Sequence, residues 1–389
     1  AILEMRLQRL AGLERQKVED ELKEKLALIK DLKKFLGDPK LMLAAIKKES
    51  EEIAEKYGDD RRTKIVRSGA KEINVEDLIP EKESILVLTS GGYVKRTDPT
   101  EYRSQKRGGV GVIDLDTKEE DFITIFLTAN THNDVLFFSD RGKAYQIKMF
   151  ELPEGKRATR GKSIMNYLSL SAGERVTSVL AMPKKVKGSG LSLLMVTKNG
   201  VAKKVSAESF TDVRRSGLIA ITLDAGDELL AARFVEKGGS VILATAGGQS
   251  IRFKESDIRE MGRTAMGVRA MKLGKNDALV GADIVNKEEK DAQFLIMSHN
   301  GYGKKTKIAE YKIQKRGGSG IKTANVTPKT GKVIVGKVVS TEVELVAISK
   351  NAQVIRTDLA TIPSLGRSTQ GVRIMKLREG DSIASLTCL

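Results

Sequence analysis

Ile85-Leu-Val-Leu-Thr-Ser-Gly-Gly92 reads as an apolar strand entering a tight turn, and the same phrase returns five more times. The other copies are Val135–Gly142, Leu193–Gly200, Val241–Gly248, Phe294–Gly301 and Leu345–Ala352, at spacings of 50, 58, 48, 53 and 51 residues. The turn dipeptides Gly-Gly, Arg-Gly and Asn-Gly tolerate the positive φ that a two-residue hairpin demands. Ala352 departs from that pattern. A second glycine follows the first in every copy: Gly111, Gly161, Gly217, Gly267, Gly320 and Gly371. Its offset is 19 residues in five copies and 17 in the third. Each copy closes on an alternating strand, as in Glu174–Met182, Asp277–Val285 and Asp381–Leu389.

All-β units that recur about every 50 residues are propeller blades. Six of them close into a disc, which removes exposed sheet edges. The sequence therefore predicts a mainly β fold over 80–389, a six-bladed β-propeller-like pinwheel. Its blades fall near 80–131, 132–186, 187–236, 237–287, 288–338 and 339–389. Residues 1–79 precede it as a short α-helical, coiled-coil-like segment with a linker. Val18–Leu36 is helical, with Leu22, Leu26, Ile29 and Leu36 on one face. Gly37 is the expected left-handed cap. Asp38-Pro39 starts a second helix that runs to about Tyr57 and stops at Gly58.

Of the 389 residues, 68 are Lys or Arg and 51 are Asp or Glu, a net charge of +17. Residues 1–79 are nearly neutral, with 18 basic and 17 acidic side chains, so the excess lies on the repeats. A basic domain of this kind points to a polyanion. One cysteine (Cys388) excludes a disulfide framework, and with only two histidines, His132 and His299, there is no ligand set for structural zinc. No apolar run is long enough to span a membrane, and no signal peptide is evident, so the cytoplasm is the expected compartment. The first residue is Ala rather than Met, which suggests a piece of a longer chain.

The basic residues recur with the repeat. After the hairpin glycine come Lys95-Arg96, Lys203-Lys204 and Lys304-Lys305, with Lys148, Arg252 and Arg356 standing singly. Before the second glycine come Arg107, Arg157 and Arg160, Arg214 and Arg215, Arg263, Arg316 and Arg367. One such pair alone is an ordinary solvated strand face. Tied to landmarks that recur once per blade, the set predicts a cationic belt around the rim, suited to curved duplex DNA held by its backbone. Bending about 40 base pairs through half a circle costs about 11 kcal/mol, which roughly ten phosphate contacts could offset, with a salt slope of about −9.

The sharpest local signal is Gln105-Lys106-Arg107-Gly108-Gly109-Val110-Gly111, echoed at Gln314-Lys315-Arg316-Gly317-Gly318-Ser319-Gly320. Glycines let the backbone approach a phosphate, and Lys and Arg supply charge. Gly155–Ser163 imitates a nucleotide-binding P-loop, but it has five residues between its glycines and no helix pattern after it. No set of His, Cys or paired carboxylates recurs, so a propeller enzyme has little support.

Gln105–Gly111 is similar to the box Q-R-R-G-G-[KR]-G of the C-terminal domain of the DNA gyrase A protein family, and the array resembles that family's six-bladed β-pinwheel. Ile2–Arg15 resembles the family's lower gate and returning coiled-coil helix, and Asp60–Ile65 the junction after it. The resemblance implies the DNA-wrapping part of a type IIA topoisomerase that introduces negative supercoils by ATP-driven strand passage. It implies that Gln105, Lys106, Arg107, Gly108, Gly109 and Gly111 hold DNA on the first blade. It also implies double-stranded DNA, a second gyrase A protein and the ATPase-bearing gyrase B protein in an A2B2 holoenzyme as partners, a nucleoid-associated location, and ATP and Mg2+ as needs of the holoenzyme alone. No catalytic tyrosine or metal site is expected in this chain. Lys106 and Val110 depart from the box; the first keeps charge but loses the planar fork, and the second removes a cation. The corresponding DNA-cleaving polypeptide of topoisomerase IV, a decatenase, is the nearest alternative, and a protein-scaffolding propeller a more distant one.

Overall fold

The computed structural model describes residues 12–59, 63, 75–102, 121, 123–156, 159–289, 291–351 and 353–388. Two compact units emerge, Ala1–Ile73 and Asn74–Leu389. In the first, α1 (Gly12–Gly37) and α2 (Pro39–Tyr57) are joined at Asp38, whose carboxylate accepts from the Lys40 backbone N–H with Pro39 in the first turn. Gly37 is the last residue of α1 and lacks the positive φ of a left-handed cap, so the expected cap is replaced by a direct handover to the Asp38 N-cap. Val18, Leu22, Leu26, Ile29, Leu32 and Leu36 form an exposed apolar seam along α1.

The second unit is a ring of six antiparallel sheets. In blade one the innermost strand, Ile123–Asn130, pairs with Glu83–Thr89, which pairs through the hairpin with a third strand, Tyr93–Thr97. The third strands of the other blades are Lys143–Lys148, Val201–Ser206, Gln249–Lys254, Tyr302–Lys307 and Val354–Asp358. The alternating strands that close each repeat are the innermost ones, and they line the axis side by side. Gly281 shows how closely: a Cβ there would lie 2.5 Å from the Gly336 carbonyl oxygen of the next innermost strand. The ring closes between blades six and one, where Ser385 Oγ donates to the Ile123 carbonyl at 2.7 Å. Apolar side chains fill the seam between each pair of neighbouring blades. Leu86, Leu88 and Val94 meet Val135, Phe137 and Tyr145 between blades one and two, and Ile85 and Val87 meet Ile348 between one and six.

Repeat and blade are out of phase, which the repeat alone did not reveal. Each outermost strand is donated by the following repeat: Lys162–Ser163 to blade one, Leu218–Ile219 to two, Val268–Arg269 to three, Ile321–Lys322 to four and Val372–Arg373 to five. Blade six has three strands among the described residues. The second glycine makes the donation possible. Gly320, at φ 75°, sits where a Cβ would lie 2.3 Å from the Ser250 carbonyl oxygen, so only glycine lets the donated strand come this near the third strand.

Candidate nucleic-acid interface

The donated strands form the outer edge of blades one to five and have a sheet neighbour on one side only. Four of the five carry an exposed cation: Lys162, Arg269, Lys322 and Arg373. Arg269, Lys322 and Arg373 share one register position, opposite the first residue of the third strand, at Val201, Gln249 and Tyr302. Ile219 holds that position in blade two, opposite Lys143, and Lys162 lies one residue earlier in blade one. Two of these cations have neutral neighbours. Lys322 Nζ donates to Asn325 Oδ1 at 2.9 Å, and Arg373 Nη2 donates to the Tyr302 hydroxyl at 2.9 Å. Their charges therefore remain available to an anion. Sequence reasoning passed over all four, although a signal was present: each lies one or two residues after the second glycine.

The turns before the second glycine add charge at the same edge. Arg214 and Lys315 are exposed. Arg215 is exposed but ion-paired with Glu151. Arg263 is exposed and touches the Ser209 carbonyl at 3.4 Å. Arg316 is half-buried, its Nε on the Asp257 carbonyl at 3.1 Å and Nη1 on the Arg269 carbonyl at 2.6 Å. Arg367 reaches the Lys322 carbonyl at 3.4 Å, and Arg160 stacks 3.7 Å from the centroid of the Tyr93 ring. Arg157 and the box residues Gln105, Lys106, Arg107, Gly108, Gly109 and Gly111 lie outside the described residues.

The third strands turn away from solvent most of the basic residues expected to form the belt, Arg356 being the exposed one. Lys95, Lys203 and Lys304 are 1%, 0% and 1% exposed. Lys95 Nζ donates to the Lys156 and Thr159 carbonyls at 3.2 and 2.9 Å. Lys203 Nζ donates to the carbonyls of Gly262 at 3.1 Å, Ala265 at 3.0 Å, and Arg263. Lys304 Nζ donates to the Gly366 and Arg367 carbonyls, both at 2.6 Å, and to Thr369 Oγ1 at 3.0 Å. Each ammonium pins the turn that precedes the donated strand. Burial pulls Lys203 and Lys304 down to about 8. The second basic residues are also engaged. Arg96 pairs with Glu154 at 3.1 Å, Lys204 with Glu255, and Arg356 Nε with Glu344 at 2.9 Å. Lys148 bonds Glu76 at 3.0 Å. Lys305 donates to the Leu359 carbonyl at 2.7 Å, and Arg252 Nη1 to the carbonyls of Ile308 and Tyr311 at 3.1 and 3.3 Å. Burial lowers the pKa of Lys305 and Arg252 as well.

The clamp alternates around the ring. Lys95, Lys203 and Lys304 occupy one third-strand position in blades one, three and five; Tyr145, Ile251 and Ile355 occupy it in two, four and six. In blades two and four, where the lysine is missing, the turn rests on carbon. A Cβ on Gly217 would lie 2.5 Å from Tyr145 Cε1, and one on Gly318 would lie 3.7 Å from Ile251 Cδ1. The turn of the echo at 314–320 is of this second kind.

A ring of six sheets with donated edge strands and an outward-facing series of cations defines a β-propeller of the pinwheel type. The family model described as DNA gyrase C-terminal domain, beta-propeller, matches residues 83–130, 133–181, 192–236, 239–286, 292–340 and 344–389, and the chain belongs to that family. It is 39% identical to the DNA gyrase A protein of Staphylococcus epidermidis over 99% of this chain and 43% of that protein. To the gyrase A protein of Staphylococcus aureus it is 38% identical over the same shares. The chain thus spans less than half the length of these curated relatives. A solved DNA gyrase A C-terminal domain superposes with a TM-score of 0.67 at 28% identity, over 79% of this chain and 100% of that one. The C-terminal domain of DNA topoisomerase IV shares the fold, with a TM-score of 0.65 at 22% identity over 80% and 94%.

Proposed function

We propose that this chain is the DNA-wrapping C-terminal part of a gyrase A protein, holding duplex DNA around the rim of the propeller so that the holoenzyme introduces negative supercoils. The observation that carries this reading is the exposed cation on four of five donated edge strands, none of them in an ion pair among the described residues. An edge strand faces outward by construction, so cations repeated there follow a curved path. Backbone phosphates fit such a path without regard to base sequence. The box at Gln105–Gly111 holds the DNA on the first blade in this reading.

Bond breaking and ATP hydrolysis belong to other parts of the enzyme, and this chain alone is inactive. ATP and Mg2+ serve the holoenzyme; among the described residues no three His, Cys, Asp or Glu side chains converge to hold a metal. The exposed seam of α1 supports a coiled-coil role within a larger gyrase A protein, in an A2B2 assembly with the ATPase-bearing gyrase B protein. A gyrase works on the chromosome, so the cytoplasmic nucleoid is its place. No helix among the described residues is long and apolar enough to cross a membrane.

Energy transfer between dyes at the ends of a duplex of about 40 base pairs tests the reading. Addition of the chain brings the dyes together, and salt between about 0.05 and 0.2 M reverses this steeply. Binding that ignores salt, or that leaves the duplex straight, contradicts it.

A further inference from the structure

A cleft of about 350 Å3 opens beside the blade-five hairpin, walled by Tyr302, Lys329, Arg373, Lys376, Arg378 and Asp381. All four of its basic residues are exposed. Tyr302 is buried and organises two of them. Its hydroxyl accepts from Arg373 Nη2 at 2.9 Å, and its ring centroid lies 5.5 Å from the Arg373 guanidinium carbon and 5.6 Å from Lys329 Nζ. The single acid is turned inward. Asp381 Oδ1 accepts from the Asn351 and Ser382 backbone N–H groups at 3.2 and 2.7 Å, and its Oδ2 is buried. The charge this cleft shows to solvent is therefore positive.

We propose that the cleft is a second phosphodiester-binding site, taking the backbone of the same duplex where it leaves the edge of blade five for the hairpin side of the ring. The inference rests on the DNA-wrapping reading. Arg373 joins the two surfaces, because it belongs to the donated strand of blade five and to the wall of the cleft. Tyr302 is buried with two cations beside its ring, so it is not an open platform for a stacked base. Phosphate oxygens are what remain to be bound. A positive cleft with held cations and no aromatic platform recognises backbone rather than sequence.

The test is a salt titration of duplex affinity with the full chain, comparing K376E/R378E with K237E/K287E. The control makes the same charge reversal on exposed turns at the opposite ends of the strands from the hairpins. Loss of two phosphate contacts lowers the salt slope by about 2 and the affinity at least about tenfold, against a smaller loss in the control. The neutral pair K376Q/R378Q gives the same ordering and removes the effect of added negative charge. Equal losses in cleft and control variants overturn the proposal. If K162E/R269E/K322E lowers the slope while the cleft variants do not, the cleft inference fails and the wrapping reading stands. If neither set lowers it, both fail. Saturable heat on titrating inorganic phosphate, lost in K376Q/R378Q while DNA affinity is unchanged, assigns the cleft to free phosphate and also overturns the proposal.

Discussion

The third strand and the donated strand of a blade lie side by side and both carry Lys and Arg, yet the two rows have opposite fates. Lys203 is sealed under a turn with three backbone carbonyls around its ammonium; Arg269, on the neighbouring strand, is exposed. Position in the sheet separates them. A third strand has neighbours on both sides and a turn folded over it, so a long aliphatic stem packs well there if its head finds acceptors. An edge strand has a sheet neighbour on one side only, and its cation stays exposed even where it finds a neutral acceptor. Basic residues in a β-repeat are therefore no guide to a polyanion site until the edge is known.

The largest expected effect that sharpens this contrast is on stability. Lys203→Met leaves the 262–265 turn without its donor and costs about 2 kcal/mol in chemical denaturation of the chain. The salt slope for DNA binding by the folded variant is unchanged. A lowered slope with unchanged stability would place Lys203 in the interface instead. The cost also depends on pH. With its native pKa near 8, against 10.5 for the ordinary side chain, Lys203 binds fewer protons in the folded than in the unfolded state between those values. The wild type therefore gains stability over Lys203→Met as pH rises from about 8 to 10.5, and the gap between the two widens. A gap that narrows in that window would mean that the carbonyls outweigh desolvation.

A smaller effect tests the edge. Ile219 is the exposed apolar residue at the position where Arg269, Lys322 and Arg373 stand in later blades. Ile219→Lys completes the row and steepens the salt slope by about 0.9, with a few-fold gain in affinity at about 0.1 M salt. No change would take blade two off the DNA path.

The propeller was legible because hairpins announce themselves. Gly92, Gly142, Gly200, Gly248 and Gly301 all adopt the positive φ that the turn dipeptides demanded, and the apolar strands between them are long enough to show their pattern. The Asp38-Pro39 helix start was legible for the same reason, since capping is local. The donated strands were not. Lys162–Ser163 and its counterparts are two residues long, too short for any periodicity, and their pairing partner lies in another repeat. Missing them put the expected belt one strand inside the exposed row: Lys95-Arg96, Lys203-Lys204 and Lys304-Lys305 looked like a belt, whereas the exposed row runs through residues that the repeat pattern did not single out. Lys95 could not have been recognised as buried from sequence, because the acceptors that make its burial tolerable come from a turn about 60 residues away, a separation that only the fold closes.

The central claim is that the edge row binds DNA and the third-strand row does not. Its most direct test compares the salt slopes of K162E/R269E/K322E/R373E and K95M/K203M/K304M on one duplex, each scored on its folded fraction. The edge variant should lose about 4 from the slope, and the third-strand variant should keep the wild-type value. Equal slopes, or the larger loss in the third-strand variant, would contradict it.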